Sequence, residues 1–220
     1  MRTLICNSKN WFTLDEKNKS RLETKIAAKK EDLTLSFIRE FDPEYIFFIH
    51  WGWKVEKEIY ENFKCIVFHT APLPYGRGGS PIQNLILEGF ETAPVCALKM
   101  TSALDAGPVY SKIVVSLQGS LSKIFERINI ATNSLISELV ENDLIPFDQQ
   151  GKPHIFNRLT ESDNELPKDL NLKQVYDRVR MLDHEDYPNA FIYHGKMKIE
   201  FFGAERQKNS IYLKCKISEC

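Results

Sequence analysis

The sequence carries no charge surplus: 29 Lys and Arg stand against 30 Asp and Glu, a formal charge of −1. Proteins that grip duplex or transfer RNA usually show a basic excess, so no nucleic-acid partner is expected. Long apolar runs are missing as well. The strongest, Tyr45–Ile49, is far short of the roughly 20 residues that a bilayer span needs, so no membrane partner is expected either. Met1–Cys6 runs straight into polar Asn7–Asn10, which does not read as a signal peptide. Cysteine is scarce and scattered (Cys6, Cys65, Cys96, Cys215 and Cys220), with no Cys-x-x-Cys pair, and indicates neither a disulfide framework nor a metal site. These absences lead to the expectation of a soluble, cytoplasmic protein. What is present is 220 residues, 43% of them hydrophobic and 11% aromatic, enough to bury the core of one main domain with an appendage.

Short apolar runs alternate with helical patterns over the first two-thirds. Arg2–Cys6, Tyr45–Ile49, Cys65–Phe68 and Pro94–Lys99 read as strands, and Asp32–Phe41, Val55–Phe63, Pro81–Glu88 and Leu121–Val140 as helices. The lysine-rich run 17–30 reads as a solvated surface. The alternation predicts an α/β domain over 1–150, with a mostly parallel sheet covered by helices and ligands held where strands end. The polar stretch 148–168, with Gly151, Pro153 and Pro167, reads as a connection rather than core. A smaller β-rich α+β subdomain follows over 168–220, with a helix at 170–182 and strands at 191–193, 197–202 and 211–216. It is too small to bury much alone and is expected to pack on the first domain.

Two segments carry chemistry. In His69–Asn84, His69 ends a buried strand, Pro72 and Pro74 stiffen the loop after it, and Ser80 reads as a helix N-cap with Pro81 at the first helical position. Gly76, Gly78 and Gly79 would let backbone N–H groups approach a ligand, and Arg77 beside a helix start suits a phosphate or carboxylate. The same segment also reads as an ordinary glycine turn with a histidine plugging a strand end. In Met100–Tyr110, Asp105 follows a strand and Ala106-Gly107 allows a tight turn; alone it reads equally as an Asx-turn. A His and an Asp at neighbouring strand ends would form a proton-handling pair.

Taken together these two segments resemble the N10-formyltetrahydrofolate-dependent formyltransferase family, whose pattern is Asn-x-His…Pro…Arg-Gly…Pro followed by Leu-Asp-x-Gly. His69, Tyr75–Pro81 and Leu104–Gly107 carry that likeness, which covers roughly residues 1–145. Asn7–Trp11, Phe47–Trp53 and Gly78–Asn84 look like the sugar-nucleotide N-formyltransferases of pseudaminic acid biosynthesis, and 186–198 is similar to their small C-terminal β piece. The resemblance implies a Rossmann-like fold and transfer of a formyl group from N10-formyltetrahydrofolate to the amine of a nucleotide-linked 4-amino-deoxy sugar, for a surface glycan. It implies that His69 and Asp105 are catalytic. It also implies that the folate lies against Trp51, Gly52, Trp53, Met100, Thr101, Ala103 and Leu104, the tryptophans reading otherwise as core packing. His50 is a further contact or a packed histidine. Lys9, Thr70, Tyr75, Arg77, Gly78, Gly79, Ser80 and Gln83 would hold the acceptor, Lys9 reading otherwise as a solvated lysine and Trp11 as packing. A homodimer through the β-rich tail fits the same pattern.

One departure is plain. The family asparagine, which donates to the formyl oxygen, falls on Val67, and losing such a donor costs about 10²–10³ in rate. Asn84 or Thr70 is expected to replace it. The alternatives are a formyltetrahydrofolate hydrolase, with water in place of the amine, and a folate- or nucleotide-binding pseudoenzyme. Chain length and charge disfavour methionyl-tRNA as acceptor, and the β piece argues against glycinamide ribonucleotide.

Overall fold

Strand residues of opposite parity supply two apolar faces, and the chain winds helices over both. The computed structural model describes residues 1–220. In chain order the elements are β1 (Arg2–Cys6), α1 (Glu16–Arg21), β2 (Glu23–Ala27), α2 (Leu35–Phe41), β3 (Tyr45–Ile49), α3 (Lys57–Asn62), β4 (Cys65–Thr70), β5 (Tyr75–Gly78), α4 (Pro81–Leu87), β6 (Thr92–Lys99), β7 (Val109–Ser116), α5 (Leu121–Glu141) and β8 (His154–Phe156). There follow α6 (Leu172–Arg180), β9 (Ala190–His194), β10 (Met197–Arg206) and β11 (Ile211–Glu219). No helix is long and apolar enough to cross a membrane.

The main sheet has the order β2-β1-β3-β4-β6-β7. Its first four strands are parallel; β6 and β7 run antiparallel, with His69 opposite Cys96 and Leu98 opposite Val109. Leu4, Cys6, Ile46 and Phe48 face Ile38, Phe41 and Ile59 of α2 and α3. Ile5, Phe47, Ile49 and Ile66 join a larger cluster with Phe125, Leu135 and Ile136 of α5. Burial drives the Cys6 thiol well up and pushes Cys65 to about 12 and Cys96 to about 11, so all three serve as small apolar fillers.

The expected mostly parallel α/β fold with a β-rich tail is the observed one, with local corrections. The lysine-rich run 17–30 is solvated as expected, with Lys17, Lys19, Arg21, Lys25, Lys29 and Lys30 all exposed, but it also holds elements that were not foreseen: α1, capped by Asp15 accepting the Asn18 N–H at 2.8 Å, and edge strand β2, whose outward side chains hide its strand character from hydropathy. The helix expected over 32–41 starts only at Leu35, after Thr34 caps it and a 3-10 turn covers Lys30–Asp32. Strand β7 escaped the sequence reading because only Val109 and Val115 along it are buried. The stretch 148–168 contributes to the core: β8 pairs with β5, and Phe156 is buried. Three residues are too few to show a period.

The β9-β10-β11 sheet and α6 pack back on the first part of the chain. Val179, Met181, Leu182 and Ala190 belong to the α5 cluster. Buried Arg180 donates to Asp177 Oδ1 at 2.7 Å and to the carbonyls of Leu117 and Gly119 at 2.5 and 3.0 Å. Removing the carboxylate strands this guanidinium. Asp177→Ala is expected to lower stability by about 3 kcal/mol, read as an earlier urea midpoint with the slope unchanged.

Candidate functional site

His69 is the fifth residue of β4 and projects from the same face as Val67. Its ring is 8% exposed. Nδ1 lies 3.5 Å from Asp105 Oδ2, and Nε2 donates to the Gly76 carbonyl at 2.7 Å; a carbonyl only accepts, so Nε2 carries the hydrogen. Asp105 reaches this position although β6 runs away from His69, because the loop 100–108 folds back along the sheet. The turn needs Asp105 in the left-handed region (φ 49°) and no side chain at Gly107, where a Cβ would stand 1.8 Å from the Lys99 carbonyl oxygen. Asp105 Oδ2 also accepts the Gly78 N–H at 2.9 Å, which ties the two loops together.

The glycine loop is closed by its own chain rather than open to a ligand. Gly78 N–H is taken by Asp105, and Gly79 N–H donates to the Phe156 carbonyl. A Cβ on Gly79 would stand 2.6 Å from the Arg158 backbone, and one on Gly76 would strike the Phe156 ring. Ser80 occupies the N-cap position of α4, but its hydroxyl accepts the Leu159 N–H at 3.1 Å instead of capping, a partner 79 residues away. Arg77, expected to meet a phosphate, donates twice to Gln149 Oε1, at 3.1 and 2.7 Å. Tyr75 donates to Glu88 and stacks on His154 at 4.5 Å; the Glu88 carboxylate holds its phenol above the ordinary value. Asn84 spends its amide on the carbonyls of Gly79, Ser80 and Asn157. Thr70, buried and next to His69 in an extended strand, projects from the opposite face.

Two loops flank the face that carries His69 and Val67. In the first, Trp51 meets Trp53 edge-on at 4.8 Å and packs with Phe48, while Gly52 has open space around its Cα. The second places Met100 in the same apolar cluster as Trp51 and Val67, leaves Leu104 71% exposed, and is turned by Thr101 donating to the Ala103 carbonyl. Trp51, Val67 and Met100 thus pack on one apolar cluster beside the strand that carries His69.

At the ends of β1 and β3 lies a polar cluster that the sequence reading only touched. Lys9 Nζ is 3.3 Å from Asp186 Oδ1; His50 Nε2 is 3.2 Å from the Tyr187 hydroxyl; Ser8 donates to the His50 carbonyl; buried Gln83 donates to the Met181 carbonyl at 3.4 Å. Trp11 stacks on Phe125 at 4.7 Å, so it is packing rather than a platform for a base. Burial pushes the Tyr187 phenol up to about 12 and holds the His50 imidazolium below its ordinary range. The residues missed are Gln149, which donates to the Asp105 and Gly107 carbonyls while accepting Arg77, and the segment 184–187. No local signal marks them, since each acts on a partner more than 40 residues away.

A family profile described as "Methionyl-tRNA formyltransferase, C-terminal domain" matches residues 161–218. A solved methionyl-tRNA formyltransferase from Clostridium thermocellum is 38% identical, superposes with a TM-score of 0.94, and is covered over 100% of both chains. A methionyl-tRNA formyltransferase from Francisella philomiragia is 28% identical over 174 residues, 76% of this chain and 54% of its own; the chain spans about half the length of such curated relatives. The formyltransferase PseJ from Anoxybacillus kamchatkensis, solved with UDP-4,6-dideoxy-4-formamido-L-AltNAc and tetrahydrofolate, is 17% identical with a TM-score of 0.57. That match covers 71% of this chain and 85% of its own, a likeness of fold.

The depressed His50 has a consequence for stability. The unfolded chain takes up a proton near the ordinary histidine value, about 6.5, and the folded chain only at lower pH. Stability is therefore held above that value and lost as pH falls through the folded one. Thermal midpoints from pH 7 to pH 5 are expected to fall less steeply in His50→Gln than in the parent.

Proposed function

The chain belongs to the formyltransferase family, and from that premise we propose that it moves the formyl group of N10-formyltetrahydrofolate to an amine, with His69 and Asp105 as catalytic residues. The observation that carries the reading is the buried His69–Asp105 contact at 3.5 Å, on a strand whose Val67 packs in one apolar cluster with Trp51 and Met100. The donor supplies an electrophilic carbonyl carbon on a nitrogen leaving group. The attacking amine must lose a proton, and the leaving nitrogen must gain one, so a group that does both balances the reaction. Asp105 orients the imidazole and receives the amine's proton, directly or through His69, while His69 delivers a proton to the leaving nitrogen as its C–N bond breaks. Gly76 and Gly78 hold this pair in place through their carbonyl and N–H, and Gln149 locks the Asp105 loop to Arg77.

The oxygen of the formyl group needs a donor while it carries charge. Val67, at the family asparagine's position, offers none. Asn84 is committed to three carbonyls and Thr70 faces the other way. Within this set the Nε2–H of His69, once released from the Gly76 carbonyl, is the remaining donor.

For the acceptor we favour the amine of a nucleotide-linked 4-amino-deoxy sugar, because the near-neutral charge gives little pull on a polyanion. The second reading, methionyl-tRNA, is favoured by the names of the relatives above. One experiment separates them: mass spectrometry of reactions holding N10-formyltetrahydrofolate with a panel of such sugars or with methionyl-tRNA. A gain of one formyl group on a sugar supports the first reading, and gain on the tRNA replaces it with the second. Release of tetrahydrofolate without a formylated product indicates hydrolysis, and donor binding without turnover a pseudoenzyme. His69→Ala is expected to abolish the gain, and Asp105→Asn to lower the rate by about 10²–10⁴. Val67→Asn restores a donor on the His69 face worth about 10²–10³ and is expected to raise the rate; an unchanged rate would place the oxyanion donor elsewhere.

A further inference from the structure

The start of α5, the loop 183–189 and Phe202 of β10 bound a hollow of about 440 Å³, within the roughly 300–1,000 Å³ common for ligand sites. It lies at the catalytic edge of the sheet: β7 runs as β4 does, so the turn into α5 leaves the sheet at the end where His69 stands. Tyr187 and Phe202 give the hollow aromatic surface. Asp183, Glu185 and Asn189 line it with side chains that make no hydrogen bond or ion pair; Asp183 is held only through its backbone, where its carbonyl accepts from Ser122 at 3.1 Å. His184 accepts the Asp186 N–H on Nδ1, so its own hydrogen sits on Nε2. Next along the edge stands Arg158. Its backbone fills the space that a Cβ on Gly79 would need, which sets it against the loop that Asp105 pins at Gly78. Arg77 and Lys9 are spent on Gln149 and Asp186, whereas the exposed Arg158 has no carboxylate or other acceptor in the chain. Its charge reaches the hollow's border: after burial, it weighs against the imidazolium of His50 and for the phenolate of Tyr187.

We propose that this edge holds the nucleoside diphosphate of the acceptor, with the nucleoside in the hollow and the diphosphate on Arg158. The inference rests on the reading above, in which the acceptor is a nucleotide-linked amino sugar. A base is flat, and Phe202 and Tyr187 offer rings for it to lie against. A ribose presents two neighbouring hydroxyl donors, which the free carboxylates of Asp183 and Glu185 accept. Asn189 and the Nε2–H of His184 are left to meet the edge of the base. The planar guanidinium of Arg158 meets two phosphate oxygens at once. Nucleoside, diphosphate and sugar then follow the order of hollow, Arg158 and His69, which brings the sugar's amine to the catalytic pair. An RNA strand suits the same place poorly, because its phosphates would meet Asp183 and Glu185.

The test is calorimetric titration of the full chain with UDP, CDP, GDP and ADP, with the 2′-deoxy form of whichever binds tightest, with pyrophosphate, and with tetrahydrofolate. The parent is expected to bind at least one ribonucleotide, and to hold it about 10-fold tighter than its 2′-deoxy form, the loss of one hydrogen bond to a charged group. Arg158→Ala is expected to weaken ribonucleotide and pyrophosphate alike, by about 10-fold. The Asp183→Ala/Glu185→Ala double variant is expected to bring the preference for ribose to near one without weakening pyrophosphate. Both variants are expected to keep the parent's thermal midpoint, because these side chains have no partner in the fold. A nucleotide held no better than pyrophosphate or than its 2′-deoxy form, or one indifferent to both variants, would overturn the proposal. Methionyl-tRNA bound through Arg158, with no nucleoside diphosphate bound, would assign the arginine to an RNA phosphate and overturn it too. Tetrahydrofolate binding without any nucleotide binding overturns this proposal alone, whereas failure of tetrahydrofolate to bind counts against the formyl-transfer reading itself.

Discussion

Asp105 holds two loops and one ring with a single carboxylate oxygen. That oxygen accepts the Gly78 N–H at 2.9 Å and stands 3.5 Å from His69 Nδ1. Buried carboxylates are expensive unless bonded, so the fold that buries this one must also supply its partners. It does so with a left-handed residue, a glycine that nothing larger can replace, and a glutamine that seals the loop from outside. The rest of the site inherits its geometry from this contact. Gly76 can offer its carbonyl to His69 only while the glycine loop is pinned at Gly78.

The change of strand direction inside the sheet explains why the pinning takes so many residues. In an all-parallel sheet, loops after successive strands gather at one edge. Here β6 runs against β4, so the loop that follows β6 starts at the wrong end and must travel back across the sheet face to reach His69. Met100 anchors its start through a backbone bond to the Cys65 carbonyl, and Gln149 anchors its end. The glycine loop is braced from the other side by β8, whose Phe156 ring and backbone fill the space that side chains at 76, 78 and 79 would need. Residues after 145 are thus part of the site's frame.

The C-terminal segment meets the site from a third direction. Asp186 and Tyr187 engage Lys9 and His50 at the ends of β1 and β3, and Arg180 fastens α6 to the turn before α5. Burial keeps His50 neutral and Tyr187 protonated, so the cluster is a hydrogen-bonded wall rather than a second proton relay. Lys9 is held in that wall beside Asp186, and any acceptor drawn to it would have to compete with the carboxylate.

Residue types and spacing alone determined the strand–helix alternation, the period-2 split of β1 and β3 into two buried faces, and His69 and Asp105 as a pair worth joining. Those features are local: a strand's parity and a loop's composition are written within a few residues. Even so, β2 was hidden by its exposed edge and β7 by its sparse burial, because a strand that shows little apolar surface leaves little pattern. Which polar side chains face the site was decided only by tertiary structure. Arg77, Ser80 and Asn84 looked free in sequence and are bound to Gln149, Leu159 and Asn157, each more than 70 residues away. A side chain's chemistry is set by its residue type, but its availability is set by which distant partner the fold brings within hydrogen-bond reach first.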